Sequence, residues 1–223
     1  MSERLELFIS VIGSHIWRMN RLDSDLDLAV VYMTDSKNVL LGESLKGSQK
    51  QKDNEDIVYY EISHVISNLL KGNCNYQWAV MSPIVKSKYK TALSELKEIT
   101  SKNLAKNSFH SINGLSQHNI YHFIEGTSKT GAPKHEIDLE SNIYKKKLNV
   151  IGRTLKYGIN LLLWGKCMFE KVDIKEASEL YELKNQLNDA YKNSHLPEKP
   201  DREPFEKYLI KWRLHKLKVD GYI

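Results

Sequence analysis

Up to residue 85 the apolar residues of this 223-residue chain fall into short β-branched runs, and from Lys86 to the end they recur at helical spacing. That change of period is the strongest constraint on the fold, because strand and helix patterns bury different sets of side chains. Leu5 to Ile12 reads as a strand that stops at the turn signal Gly13-Ser14. Leu26 to Met33 reads as a second, buried strand with a carboxylate near its start, and Ile57 to Ile62 as a third. A helix from Ser63 to Lys71 follows, stopped by Gly72. Residues 34 to 55 are polar and read as a long loop or a poorly ordered flap.

Beyond the break at Ser82-Pro83, helices are expected over Lys88–Asn103, Ser108–Gly126, Glu140–Lys166, Asp173–Asn193 and Pro204–Val219. Strands followed by helices indicate α+β: a small mixed β-sheet lobe over residues 1–85, then an all-helical lobe over 86–223. Neither GxGxxG nor GxxxxGK[ST] occurs, so dinucleotide-binding and P-loop folds have no support. The longest apolar run near the amino end is broken by Glu6 and Ser10, which leaves no signal peptide or membrane segment to expect. Cys74 and Cys167 stand alone, without CxxC spacing, and suit a reducing cytoplasm.

The informative stretch is Gly13-Ser14 followed, 11 residues after the serine, by Asp25 and Asp27 in Asp23-Ser24-Asp25-Leu26-Asp27. Alternate residues of a strand share a face, so Asp25 and Asp27 project together and repel each other unless a cation lies between them. Mg2+, or Mn2+ in its place, is a hard ion commonly held by one or two carboxylates plus substrate phosphates. The glycine turn lets backbone N–H groups approach a phosphate, and the Ser14 hydroxyl adds a donor. The pattern resembles that of the DNA polymerase beta superfamily, and this resemblance implies a third carboxylate, flanked by apolar residues, on a neighbouring strand. Glu61 in Tyr60-Glu61-Ile62 is preferred, and Asp56, which opens the same strand, is the alternative.

These residues resemble the signature of the DNA polymerase beta superfamily of nucleotidyltransferases. Further segments resemble one branch of it, the RNA repair pathway DNA polymerase beta family: Gly13-Ser14-His15-Ile16-Trp17, Asp56-Ile57-Val58-Tyr59-Tyr60-Glu61-Ile62, Lys71-Gly72-Asn73, Met81-Ser82-Pro83-Ile84-Val85, Lys146-Lys147 with Arg153, and Leu196-Pro197-Glu198-Lys199-Pro200-Asp201. The resemblance implies a metal-dependent enzyme that moves a nucleoside monophosphate from a nucleoside triphosphate to an acceptor hydroxyl, with an RNA end as the candidate acceptor. It assigns Asp25, Asp27 and Glu61 to metal and catalysis, and Gly13, Ser14, Lys146 and Arg153 to substrate; Arg18, next to the Gly13-Ser14 turn, is a further substrate-binding candidate from its charge and position alone. Two departures stand out: Arg18 occupies a position where relatives usually carry glycine, and Ser63-His64 stands where an Arg-Lys pair is common.

Residues 1 to 85 hold 8 basic against 11 acidic residues and the remainder 25 against 17, so cations suit the first part and polyanions the second. Lys146 and Arg153, seven apart on one helix, share a face with Asn149 and suit a phosphate clamp. His118 and His122 have helical metal spacing but no completing glutamate, and packing roles are expected for Trp17, Trp78, Trp164 and Trp212. The basic carboxyl end, from Lys207 to Lys218, suits either nucleic acid or a solvated helix face. Two other readings stay open on sequence alone: a nucleotide- or RNA-binding module with weak chemistry, and an enzyme governed by a partner, as in two-gene toxin–antitoxin systems. Oligomeric state is left open.

Overall fold

The computed structural model describes residues 4–22, 24–43, 48–52, 55–127 and 138–223; Asp23 of the acidic motif lies outside them. Five strands, β1 (Leu5–Val11), β2 (Leu26–Met33), β3 (Ser48–Lys52), β4 (Glu55–Glu61) and β5 (Val85–Ser87), form one sheet in the order β3-β4-β2-β1-β5. β2 and β4 run parallel and the other pairs antiparallel, so the sheet is mixed. Helices follow as α1 (Ser36–Leu40), α2 (Ile62–Leu70), α3 (Cys74–Met81), α4 (Lys90–Lys102), α5 (Ser108–Phe123), α6 (Asn142–Trp164), α7 (Ala177–Asn193) and α8 (Glu203–Val219). The fold is α+β. Among the described residues no helix is long and apolar enough to cross a membrane.

Residues 34–55 are not one loop. They contain α1 and the edge strand β3, whose sequence Ser-Gln-Lys-Gln-Lys carries no apolar signal. An edge strand needs only one hydrogen-bonded neighbour, here β4, and so can form without an alternating apolar face.

The chain packs as two compact units, residues 1–103 with 200–223, and residues 104–199. These bounds differ from a division at residue 85, because α4 and the distant α8 bury their apolar faces with the sheet. One core joins Leu7 and Phe8 of β1, Val31 and Met33 of β2, Val65 and Leu69 of α2, Leu96 of α4, and Phe205, Tyr208 and Trp212 of α8. The Tyr208 hydroxyl donates to the Ala92 carbonyl at 3.1 Å, which fixes α8 along α4. Gly72, at φ 70°, ends α2, and the Asn73 side chain accepts from the Asn75 N–H to start α3.

In the second unit α6 packs between α5 and α7, burying Leu148, Ile151, Leu155 and Leu162. Gly158 permits the crossing: a Cβ there would lie 2.8 Å from both Ile112 of α5 and Leu187 of α7. Ser141 caps the start of α6 by accepting from the Tyr144 N–H, and Gly165 in the left-handed region closes its end. Trp164 does not pack in a core; it is two-thirds exposed at that end.

Candidate metal and nucleotide site

The end of β1 and the starts of β2 and β4 meet at one edge of the sheet. β1 and β2 are held there by Val11 opposite Leu28 and by the Ile12 N–H donating to the Asp27 carbonyl at 2.8 Å. From the other side, the Ser82 hydroxyl donates to the Val11 carbonyl at 2.6 Å, so the Ser82-Pro83 segment secures the strand just before the Gly13-Ser14 turn.

Gly13 has φ 67°, which L side chains rarely adopt, and a Cβ there would lie 1.8 Å from Asp27 Oδ2. Glycine is therefore required twice over, by the backbone and by the carboxylate that lies against it. The turn continues as a single 3-10 turn, His15–Trp17, in which the Trp17 and Met19 N–H groups both donate to the Ser14 carbonyl. Ile16 and Trp17 are buried and anchor it, Trp17 meeting the Trp78 ring edge-on at 5.6 Å. Trp17 is thus a packing residue rather than a surface for a base.

The parallel register between β2 and β4 sets Asp27 directly beside Asp56, and Tyr32 beside Glu61. Residues level with each other on adjacent strands turn to the same face, so Asp27 and Asp56 are neighbours there. Asp25 precedes the first residue of β2 and is exposed, whereas Asp27 and Asp56 are half-buried.

Glu61 lies five residues further along β4, about 16 Å at the usual rise per strand residue, and on the opposite face by alternation. The strand register therefore puts Asp56, and not Glu61, level with Asp27. Its carboxylate, fully buried, instead caps α2 by accepting from the Ser63 N–H at 2.7 Å and from the Ser63 hydroxyl. It also pairs with Arg213 of α8 at 2.5 Å. A buried carboxylate must be paired and hydrogen-bonded, and these partners do that. Nothing local to residue 61 announces a partner 152 positions away.

Asp27, Asp56 and Asp25 offer hard oxygen donors of the type Mg2+ takes. Among the described residues no three of His, Cys, Asp and Glu come together as a metal-holding group. The donor set that fits is one of two neighbouring carboxylates completed by substrate oxygens, the arrangement Mg2+ commonly adopts.

Lys146 and Arg153 stand on α6 in the second unit, Lys146 exposed and Arg153 half-buried. Between them Lys147 is half-buried, its Nζ 3.8 Å from the centre of the Phe123 ring. Burial, with the charges of Lys146 and Arg153 added, holds the Lys147 ammonium below the usual lysine range. Lys145 is instead neutralised by Glu140 at 2.9 Å. Asn149, expected beside Lys146 and Arg153, is used structurally: it accepts from the Ile174 N–H at 3.0 Å and pins that segment to α6.

The basic carboxyl end is largely paired within its own unit: Lys207 with Glu203, Lys211 with Glu95, Arg213 with Glu61 and Lys216 with Asp220. That use of its charges favours a packed helix over a nucleic-acid face. His118 and His122 stack at 6.3 Å, and His64 meets Tyr76 edge-on at 5.5 Å.

A mixed sheet that sets a Gly-Ser turn against an aspartate, with a second aspartate level with it on the parallel strand, has the layout of a polymerase-beta-type nucleotidyltransferase. The chain belongs to the RNA repair pathway DNA polymerase beta family, whose model matches residues 5–155. The match spans Gly13 through Arg153 and stops before α7 and α8. No curated protein gives a significant match.

Proposed function

We propose that the chain transfers a nucleoside monophosphate from a nucleoside triphosphate to an acceptor hydroxyl, with Asp27 and Asp56 as the paired carboxylates for Mg2+ or Mn2+ beside the triphosphate and Asp25, just before β2, as a further ligand once substrate is bound. The observation that carries this reading is Asp27 level with Asp56 on parallel strands, with Gly13 pressed against the Asp27 carboxylate. A divalent cation bound there neutralises phosphate charge and stabilises the attacking and leaving oxygens of an in-line displacement.

The protein's own part is to bind and orient. The Ser14 hydroxyl and the backbone of the Gly13-Ser14 turn donate to phosphate oxygens. The Asp56 carboxylate takes the proton of the acceptor hydroxyl as its oxygen bonds to the α-phosphorus; the bond from that phosphorus to the bridging oxygen breaks and pyrophosphate leaves. Lys146 and Arg153 are the second unit's candidates for contact with phosphate. An RNA end is the proposed acceptor, supported by the family and by the excess of basic residues after residue 85.

Each of the four nucleoside triphosphates, labelled at the α-phosphate, is incubated with the protein, Mg2+ or Mn2+, and RNA. Label should appear on RNA in the presence of metal and vanish with a chelator. Tight binding of triphosphate with no transfer to RNA, to the protein or to water would replace the enzyme by a binding module.

A further inference from the structure

Arg18 is the one non-glycine residue at positive φ among the described residues, at φ 54° and ψ 38°. A Cβ is disfavoured in that region, and glycine is the residue the backbone would choose. The position is imposed by its surroundings: the Arg18 N–H donates to the His15 carbonyl at 3.1 Å, and the preceding Ile16 and Trp17 are buried. The arginine side chain contributes nothing visible in exchange. It is exposed and makes no ion pair with any described carboxylate, although it leaves the same short turn that carries Gly13 and Ser14.

The cations of α8, by contrast, are mostly paired, as Lys207, Lys211, Arg213 and Lys216 show. A disfavoured backbone residue that persists beside a candidate site, with its charge uncommitted, points to a ligand as the compensation. The guanidinium, with five donors in a planar fork, matches a phosphate oxygen pair.

We infer that Arg18 contacts the polyphosphate of the incoming nucleotide, so that this chain supplies a phosphate-binding cation at a position whose backbone calls for glycine. The inference rests on the nucleotidyl-transfer reading and adds to it a determinant for the length of the phosphate chain. A nucleoside monophosphate, lacking the outer phosphates, gains much less from Arg18.

The test compares the parent protein with Arg18→Gly and Arg18→Lys, using inorganic triphosphate and each nucleoside triphosphate with Mg2+ as calorimetric probes, and nucleoside monophosphate as the short control. Thermal unfolding is followed in parallel. Arg18→Gly should unfold at the parent's temperature or above it, since glycine relieves the backbone. Its affinity for triphosphate should nevertheless fall about tenfold or more, the worth of one charge-assisted hydrogen bond. The monophosphate affinity should change less than threefold, and Arg18→Lys should retain part of the triphosphate affinity. If the parent binds triphosphate and Arg18→Gly binds it within twofold as well, the residue is only a turn former and the inference is overturned alone. If the parent binds neither triphosphate nor any nucleotide, the nucleotidyl-transfer reading falls and takes the inference with it.

Discussion

Replacing Gly13 by alanine should damage the acidic edge far more than the same change at Gly42, although both glycines have nearly the same φ, 67° and 69°. The left-handed region costs an L-residue about 1 to 2 kcal/mol, and both variants bear that cost. At Gly42 nothing lies within 4 Å of the added Cβ, so the backbone term stands alone. At Gly13 the new methyl would sit 1.8 Å from Asp27 Oδ2, 2.6 Å from its Cγ and 2.9 Å from its Cβ. Turning the Asp27 side chain relieves the first two contacts and not the third, so β2 must shift as well, and overpacking of this kind adds about 1 to 3 kcal/mol. Gly13→Ala should therefore lose about 2 to 5 kcal/mol and unfold roughly 4 to 20 °C lower, against roughly 2 to 8 °C for Gly42→Ala. Thermal denaturation by circular dichroism gives the first comparison, and Mn2+ titration followed by paramagnetic resonance gives the second, where Gly13→Ala should lose binding and Gly42→Ala keep it. Equal unfolding temperatures and equal Mn2+ binding in the two variants would refute the placement of Asp27 against the turn.

Asp56→Asn should leave the unfolding temperature near the parent's and lower nucleotidyl transfer at least a hundredfold, while Glu61→Gln should do the reverse. Leaving the partly buried Arg213 without its counter-charge is read as a lower unfolding temperature with the activity per folded molecule retained. Burial, with Tyr76 adding to it, pushes the Tyr60 hydroxyl up to about 12 from its ordinary 10. A raised folded-state value means that the stability from a neutral Tyr60 is complete below pH 10 and is lost as pH climbs towards 12, so Tyr60→Phe should flatten the alkaline fall in unfolding temperature. RNA affinity should drop steeply between about 50 and 200 mM salt, roughly a thousandfold if six to ten phosphates are contacted, and indifference to salt would exclude a polyanionic acceptor.

The features that could be read from sequence were those fixed by neighbours along the chain. The Gly13-Ser14 turn, the apolar run of β2 and the helical period of α6 all depend on a few adjacent residues, and each was legible. The choice between Asp56 and Glu61 was not, because it depends on the register of two parallel strands whose partners lie 29 residues apart, as Asp27 and Asp56 do. Both acids open or close the same apolar run, and the flanking pattern favours the buried one. Glu61 is buried because Arg213 and the first turn of α2 satisfy it, a reason visible only in three dimensions. The polar β3 gave no alternation to find, and α8 reads like any amphipathic helix until Phe205, Tyr208 and Trp212 are seen to complete the core of the sheet. Trp164 misled for the opposite reason: a large apolar residue at a helix end was expected to pack, and it is exposed.

Crystals grown with Mn2+ and a non-hydrolysable nucleoside triphosphate, measured for anomalous scattering from the metal, address the acidic edge directly. Metal peaks are expected between the Asp27 and Asp56 carboxylates and the triphosphate oxygens, with Asp25 on the same ion or its neighbour, and none at Glu61. A metal bound at Glu61, or triphosphate bound away from the Gly13-Ser14 turn, would contradict the proposed site.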